Sequence, residues 1–176
     1  MKRLSALALA LAALLRGCAS RQVWERVSDP LADPEERVCS VMFTLPDGAS
    51  EEAISGTQAR RVYTDPACGY EIVAERMETP SLEAAVKRLT GFSFDALHPL
   101  KTTKCGLPEY RFAWYASGDE GGRLYRADVL KDEGYCYALV FSVPEGSGTA
   151  YDSTAEAVFA SMSLFYEESG KKIDGA

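Results

Sequence analysis

The sequence is poor in the residues and motifs that most often carry catalysis. It holds a single histidine, His98, among 176 residues. No GxxxxGK[ST], GxSxG, HExxH or GxGxxG pattern occurs, and these patterns serve nucleotide-phosphate binding, serine hydrolysis, zinc proteolysis and dinucleotide binding. We therefore expect no cofactor and no metal ion.

Long hydrophobic runs are also missing, apart from one near the start. Leu4–Leu15 is interrupted only by Ser5. As a helix this run spans about 18 Å, whereas the hydrocarbon core of a bilayer is about 30 Å thick. The basic start at Lys2 and Arg3, followed by a short apolar stretch and small residues, predicts a secretory signal at 1–17.

The residues after the apolar run suggest a lipid anchor. Leu15-Arg16-Gly17-Cys18 resembles the bacterial lipobox. The resemblance implies a lipoprotein whose first mature residue is Cys18, with palmitate-type acyl chains holding it to the cell membrane or outer membrane on the extracytoplasmic side. The alternative is cleavage by an ordinary signal peptidase between Gly17 and Ser20, which leaves a secreted protein. In either case 18–36, with two Asp-Pro pairs and few apolar anchors, is expected to be a tether.

Basic residues are too few for a nucleic-acid binder. The chain has 26 acidic and 19 basic residues. Removal of 1–17 takes away Lys2, Arg3 and Arg16, which leaves 16 basic residues and a net charge of −10. A protein that binds the phosphate backbone needs a basic patch, so we expect no nucleic-acid partner.

Four cysteines remain once Cys18 is assigned to the lipid. Four thiols in an exported chain predict two disulfides, for which three pairings are possible. We favour Cys39 with Cys68 and Cys105 with Cys136. A zinc site is the competing interpretation, but no CxxC occurs and the gaps of 29, 37 and 31 residues do not suit a zinc ribbon or finger.

The pattern from 37 to 168 predicts one α+β domain, followed by a tail at 169–176. Its expected order is a strand at 38–45, a two-strand hairpin, a helix, a three-strand meander and a second helix. The antiparallel sheet thus consists of a hairpin and a meander and packs with two helices. Thr79-Pro80 is expected to start the first helix, and Ser153-Thr154-Ala155-Glu156 to form the capping box of a second helix whose apolar stripe extends to Phe165. Residues 92–104 read as a connection without a clear period.

At the two ends of this domain the chain resembles the Mog1/PsbP-like family. The resemblance rests on Phe43-Thr44-Leu45-Pro46-Asp47-Gly48 after the first strand and on Tyr137-Ala138-Leu139-Val140-Phe141-Ser142-Val143-Pro144 before the last helix. The family includes small exported bacterial lipoproteins. Membership implies an interaction or assembly module without shared catalytic residues.

Aromatic side chains crowd the three strands of the meander. If both helices cover the same face of the sheet, aromatics on the other face form an open surface for a partner; the alternative is that they are ladders that stabilise the sheet. The candidate surface residues are Tyr115, Trp114, Tyr125 and Tyr137.

We therefore expect a membrane-anchored, non-enzymatic binding or assembly-accessory domain with a protein partner in the cell envelope. Two other hypotheses stay open. One is a carrier of a small apolar ligand. The other is a hydrolase or transferase that uses His98 with Asp95.

Overall fold

The computed structural model describes residues 38–52, 59–118, 121–147 and 149–167. The predicted signal at 1–17, the tether at 18–36, Cys18 and the tail at 169–176 all lie outside these residues. In the part of the chain that the structure describes, no helix is both long enough and apolar enough to cross a bilayer.

Seven of the nine described strands form one antiparallel sheet. Its order is β2-β3-β4-β8-β7-β6-β5. The remaining two strands, β1 and β9, pair with each other as an antiparallel ribbon. The strand bounds are β1 Val38–Met42, β2 Ser50–Glu51, β3 Arg60–Thr64, β4 Glu71–Glu78, β5 Leu100–Lys104, β6 Leu107–Gly118, β7 Gly121–Lys131, β8 Tyr135–Pro144 and β9 Ser163–Glu167.

Two helices pack on opposite faces of this sheet. Helix α1 spans Leu82–Thr90, a short 3-10 helix spans Phe94–Leu97, and helix α2 spans Asp152–Ala160. We call the side that packs against α1 and the 3-10 helix the α1 face, and the side that packs against α2 and the ribbon the α2 face. The α1 face includes Val62, Phe112, Trp114, Ala127, Val129 and Val140, and the α2 face includes Ile72, Leu107, Leu130, Tyr137, Leu139 and Phe141. The expectation that both helices cover one face is therefore wrong.

Strand β8 lies at the centre of the domain. Positions 136–143 are all buried, and alternate residues enter the two hydrophobic clusters. Because both faces of the sheet are covered at β8, its sequence reads as a continuous apolar run. The predicted hairpin is β3–β4, the predicted meander is β6–β7–β8, and the α+β class is confirmed.

Three strands, β2, β5 and β9, were not predicted from the sequence. Strand β5, inside the predicted connection 92–104, is a largely polar strand at the edge of the described sheet, where it pairs with β6. Strand β9 was assigned to the end of the second helix. Helix α2 ends at Ala160, and Phe165 lies in β9 opposite Ser40 of β1. Strand β2 has only two residues.

The helix starts also differ from the prediction. Ser81, not Thr79, caps α1, because its side chain accepts a hydrogen bond from the Ala84 N–H at 3.2 Å. Helix α2 begins at Asp152, and its N-cap Tyr151 makes no side-chain capping bond. The predicted capping box at Ser153–Glu156 is therefore wrong.

Candidate functional site

The four aromatic residues predicted to form one surface lie in different environments. Tyr137 is 0% exposed in the core of the α2 face, and Trp114 is 8% exposed on the α1 face. There the Trp114 ring stacks on that of Tyr125, with centroids 4.9 Å apart and planes 10° from parallel. Of the four, Tyr115, on the α2 face, is the one that is well exposed, at 44%. Since successive strand residues point to opposite faces, Trp114 and Tyr115 cannot share a surface.

Tyr115 is exposed but firmly held. Its hydroxyl donates a hydrogen bond to Glu145 Oε2 at 2.7 Å, and this bond is the main cause that raises the pKa of Tyr115. The ring end lies over Gly122, where an added Cβ would overlap the Tyr115 hydroxyl and the Glu145 carboxylate. The position of Tyr115 therefore depends on a residue without a side chain on the neighbouring strand.

Tyr115 is the end of a row of exposed residues that we call the β5–β6 strip. It consists of Leu100 on β5 and Arg111, Ala113 and Tyr115 on β6, all on the α2 face. Leu100 is 62% exposed and the Arg111 side chain is 45% exposed. The strip is about 13 Å long, because alternate residues of a strand are about 6.6 Å apart.

A buried charged cluster borders the strip at Arg111. Glu109 on β6 and Asp128 on β7 have side chains only 2% and 4% exposed. Arg111 joins the two carboxyl groups: its Nη2 lies 3.0 Å from Glu109 Oε1 and its Nε lies 3.4 Å from Asp128 Oδ2. The Nζ of Lys104 on β5 lies 3.7 Å from Glu109 Oε1.

The two carboxyl groups differ in their partners and in their pKa. Burial acts to raise the pKa of Glu109, but hydrogen bonds from Thr102, Arg111 and Asp128 hold it below its ordinary value. Burial, with the hydrogen bond to Glu109, raises the pKa of Asp128 to about 7. Asp128 Oδ2 is buried and has no hydrogen-bond partner. The pair therefore combines Glu109, which stays ionised to lower pH than an ordinary glutamate, with Asp128, which keeps its proton to higher pH than an ordinary aspartate.

Helix α2 is fastened to the sheet at both of its ends beside the cluster. Arg126 of β7 forms an ion pair with Asp152 in the first turn of α2. Lys104 donates a hydrogen bond to the carbonyl of Phe159 in the last turn. These two contacts tie the helix to β7 and β5, the strands on either side of β6.

His98 and Asp95 are close together, and the contact between them is a hydrogen bond of the backbone. The His98 N–H donates to the Asp95 carbonyl at 3.4 Å, where His98 ends the 3-10 helix with a φ of 48°. Both residues are exposed. The structure thus gives this pair the role of a helix end.

The predicted disulfides are not present among the described cysteines. The sulfur of Cys105 lies 4.0 Å from the Met162 carbonyl on the α2 face, and that of Cys136 lies 3.9 Å from the Thr79 carbonyl beside α1. The sheet separates these two thiols, so they do not form the predicted Cys105–Cys136 bridge. Burial raises the pKa of Cys136 to about 11, which keeps it a thiol.

The second predicted pair, Cys39 and Cys68, is also placed apart. Cys39 contacts Tyr137 in the core, whereas Cys68 lies in the turn before β4, where its N–H donates to Asp65 Oδ1 at 3.1 Å. A disulfide needs Cα atoms about 4.4–6.8 Å apart. The pair was favoured because both cysteines lie near the start of strands, but Cys39 belongs to the ribbon and Cys68 to a turn of the main sheet.

The described part of the chain has two clefts that are candidate ligand sites. One lies between β1, β3 and β4 and the other between α2 and the sheet, and each has a cavity volume of about 10 Å³. Sites for small organic molecules usually enclose roughly 300–1,000 Å³. Among the described residues, no group of three or more His, Cys, Asp or Glu side chains is placed to hold a metal ion.

Leu100, Glu109 and Asp128 were not predicted as site residues from the sequence. A signal was present for the carboxyl pair: Glu109 and Arg111 alternate with Tyr110 and Phe112, and an inward-pointing charge is unusual in a covered sheet. The sequence does not show which face of the sheet packs against α2.

Comparisons with known proteins agree on the fold. No family model matches the sequence, and no curated protein is similar to it. The solution structure of cyanobacterial PsbP (CyanoP) from Synechocystis superposes with a TM-score of 0.52 at 17% identity, over 76% of this chain and 90% of that chain.

Two further solved structures are similar. LpqN of Mycobacterium tuberculosis, a protein involved in cell envelope biogenesis, has a TM-score of 0.50 at 14% identity, over 76% of this chain and 87% of LpqN. A protein from Bacteroides thetaiotaomicron has a TM-score of 0.49 at 12% identity; 75% of this chain is covered, but only 47% of that protein. The chain therefore has the Mog1/PsbP-like fold that the sequence predicts.

Proposed function

We propose that this protein is a non-enzymatic binding module of the bacterial cell envelope, anchored by lipid at Cys18, which binds a partner protein through the β5–β6 strip. The strip is the observation that carries the proposal. It places an aliphatic residue, an arginine and a held tyrosine in one exposed row beside α2.

The composition and rigidity of the strip support binding. Tyrosine and arginine are enriched among the residues that dominate interface energies. Three of the four strip residues lie on β6, whose opposite side packs Phe112 and Trp114 into the core. A partner that docks on a row fixed in this way pays little conformational entropy.

The charges of the strip indicate the kind of partner. Arg111 brings an exposed cation to a chain whose mature form would carry a net charge of −10. Leu100 and Tyr115 supply apolar contact on either side of it. We therefore propose a protein partner that presents apolar side chains together with a carboxylate.

The envelope location is carried by two independent arguments. The chain begins with a basic and apolar signal pattern that ends in a lipobox-like Leu15-Arg16-Gly17-Cys18. The similar fold of LpqN, a protein involved in cell envelope biogenesis, agrees with that location.

The anchor is tested by the intact mass of the native protein from the membrane fraction. We expect a chain that starts at Cys18 and carries acyl chains, and a Cys18→Ser variant that leaves the membrane fraction. An unacylated chain that starts beyond Cys18 would contradict the anchor and leave the strip proposal untouched.

The strip is tested by site-specific photocrosslinking of the full-length protein in envelope membranes. A photoreactive phenylalanine analogue replaces Tyr115 in one variant and Phe92 in the other; both positions are 44% exposed, but Phe92 follows α1, away from the strip. We expect one discrete adduct from position 115 that excess unlabelled wild-type protein abolishes.

Competitor variants give the matched control. Excess Leu100→Glu protein should fail to abolish the adduct, because the added carboxylate repels an acidic partner, whereas Phe92→Glu protein should compete like wild type. An adduct from position 92 alone, or equal competition by both variants, would overturn the strip proposal. The His98→Ala variant should compete like wild type, and loss of competition would revive the enzyme hypothesis.

A further inference from the structure

Two carboxyl groups are buried side by side on the α2 face, next to Arg111 of the strip. Glu109 of β6 pairs with Leu130, and Asp128 of β7 pairs with Arg111, so the two acids are diagonal neighbours across the strands. Their side chains are 2% and 4% exposed. Two adjacent buried carboxylates repel each other strongly unless they share a proton.

The partners around the pair are divided unequally. Glu109 accepts hydrogen bonds from Thr102 and Arg111 and has Lys104 Nζ at 3.7 Å. Asp128 Oδ2 has only the Arg111 Nε at 3.4 Å and makes no hydrogen bond. Glu109 is therefore the better place for the negative charge, and Asp128 for the proton.

The other charged groups near the pair are already engaged. Arg126, two residues before Asp128 on the same face, pairs with Asp152 of α2. Strand β8 places the apolar Leu139 opposite Asp128. From α2 the Phe159 carbonyl accepts a hydrogen bond from Lys104.

We propose that Glu109 and Asp128 form a proton-binding site in which Asp128 donates one shared proton to Glu109, and that Lys104 links the occupancy of this site to the last turn of helix α2. The pKa of about 7 for Asp128 and the lowered pKa of Glu109 agree with a proton held in this way. The site shares Arg111 with the strip, but binding of the proton does not require a partner protein.

Lys104 provides the link because it stands between two acceptors. With the proton bound, the pair carries one negative charge and Lys104 donates to the Phe159 carbonyl. When the proton leaves to solvent past the half-exposed Arg111, the pair carries two negative charges. Lys104 is then drawn toward the pair, and the end of α2 loses its tie to β5.

The proton site is tested by carbon-13 NMR titration of the side-chain carboxyl groups in the full chain. We expect one carboxyl transition within about one pH unit of 7 that is absent from Asp128→Asn, a variant of nearly the same shape. Asp132→Asn, in the β7–β8 turn, should retain it. Titration of both groups at or below pH 5, or persistence of the transition in Asp128→Asn, would overturn the proposal.

The Lys104 link is tested separately by hydrogen exchange. The Met162 N–H donates to the Phe159 carbonyl at 3.2 Å and reports on the end of α2. After correction for intrinsic rates, its protection should fall by about fivefold or more from pH 6 to pH 8 in wild type. Asp128→Asn and Lys104→Met should both remove that dependence. Constant protection in wild type, or an unchanged dependence in Lys104→Met, would refute the link.

Discussion

The α1 face and the α2 face are built from the same strands but are filled in different ways. On β6 and β7 the α1 face presents Phe112, Trp114, Tyr125 and Val129, all packed with α1 or with one another. The α2 face of the same strands buries Leu107 and Leu130 at one end, but it also carries charged side chains and the exposed Tyr115. The difference shows that period-2 alternation lets one strand supply a core on one side and a polar, partly exposed site on the other.

The coverage by the two helices explains this difference. The ribbon and α2 together cover β4 and β8, where the α2 face is apolar. Beyond them, β5 and β6 reach past α2, and the strip is exposed. The carboxyl pair lies at the boundary between the covered and uncovered regions, where cations such as Arg111 reach both the buried acids and the solvent.

The largest expected effect comes from truncation on the α1 face. Trp114→Ala should destabilise the protein by about 3–5 kcal/mol, because it leaves a cavity beside Tyr125 and Phe112. This corresponds to a fall in melting temperature of about 10 °C for a chain of this size, measured by circular dichroism. Tyr115→Ala, the adjacent residue on the other face, should change the melting temperature little. Equal effects of the two variants would contradict the assignment of faces.

The next effect concerns pH and belongs to the α2 face alone. The folded-state pKa of Asp128, about 7, exceeds its unfolded value of about 4. The stabilisation is therefore fully present below the unfolded value and is lost as pH rises through 7. Glu109, whose pKa is lowered, acts in the opposite sense and loses its contribution as pH falls below its ordinary value.

We accordingly expect wild-type stability to fall by about 2 kcal/mol between pH 5 and pH 7.5. Thermal melts of wild type and Asp128→Asn over this range measure the effect. The variant should lose the part of the slope that Asp128 causes, and parallel curves would show that Asp128 binds no proton on folding in this range.

A smaller effect distinguishes the helices of the two faces. Ser81→Ala removes the cap of α1 and should cost about 1 kcal/mol. Ser153→Ala changes the residue that the sequence predicts as a cap, although α2 starts at Asp152 without a side-chain cap. It should leave the unfolding free energy within about 0.5 kcal/mol of wild type. Urea denaturation of both variants decides between the capping box and the observed helix start.

The smallest expected effect on the fold, but a specific one on the strip, comes from Gly122→Ala. The new Cβ would overlap the Tyr115 hydroxyl and displace the ring from Glu145. We expect altered Tyr115 ring resonances and a several-fold lower adduct yield from position 115. Gly134→Ala is the control, because a Cβ there meets nothing within 4 Å. Unchanged Tyr115 resonances in Gly122→Ala would show that Gly122 does not hold the ring.

Elements with a clear local pattern were predicted from the sequence, whereas β5, although it forms a tight hairpin with β6, is too polar to show one. The β3–β4 hairpin and the β6–β7–β8 meander were predicted because their turns and alternating patterns are local. Strand β9 was not predicted, because Phe165 continues the apolar stripe of the second helix in the sequence. In the structure Phe165 pairs with β1, more than 100 residues earlier in the chain. The cysteine pairing also depends on distant segments: the sequence does not show that Cys105 and Cys136 lie on opposite sides of the sheet.

By itself the sequence determined which side chains share a strand face, where the local turns fall and that the class is α+β. These properties follow from periodicity and turn chemistry within a few residues. Only the tertiary structure decided that α1 and α2 cover opposite faces, that Tyr115 stays exposed while Trp114 is buried, and that Glu109 meets Asp128. Burial and charge pairing depend on which distant segments pack together, because removal from water is a property of the assembled layers and not of any one strand.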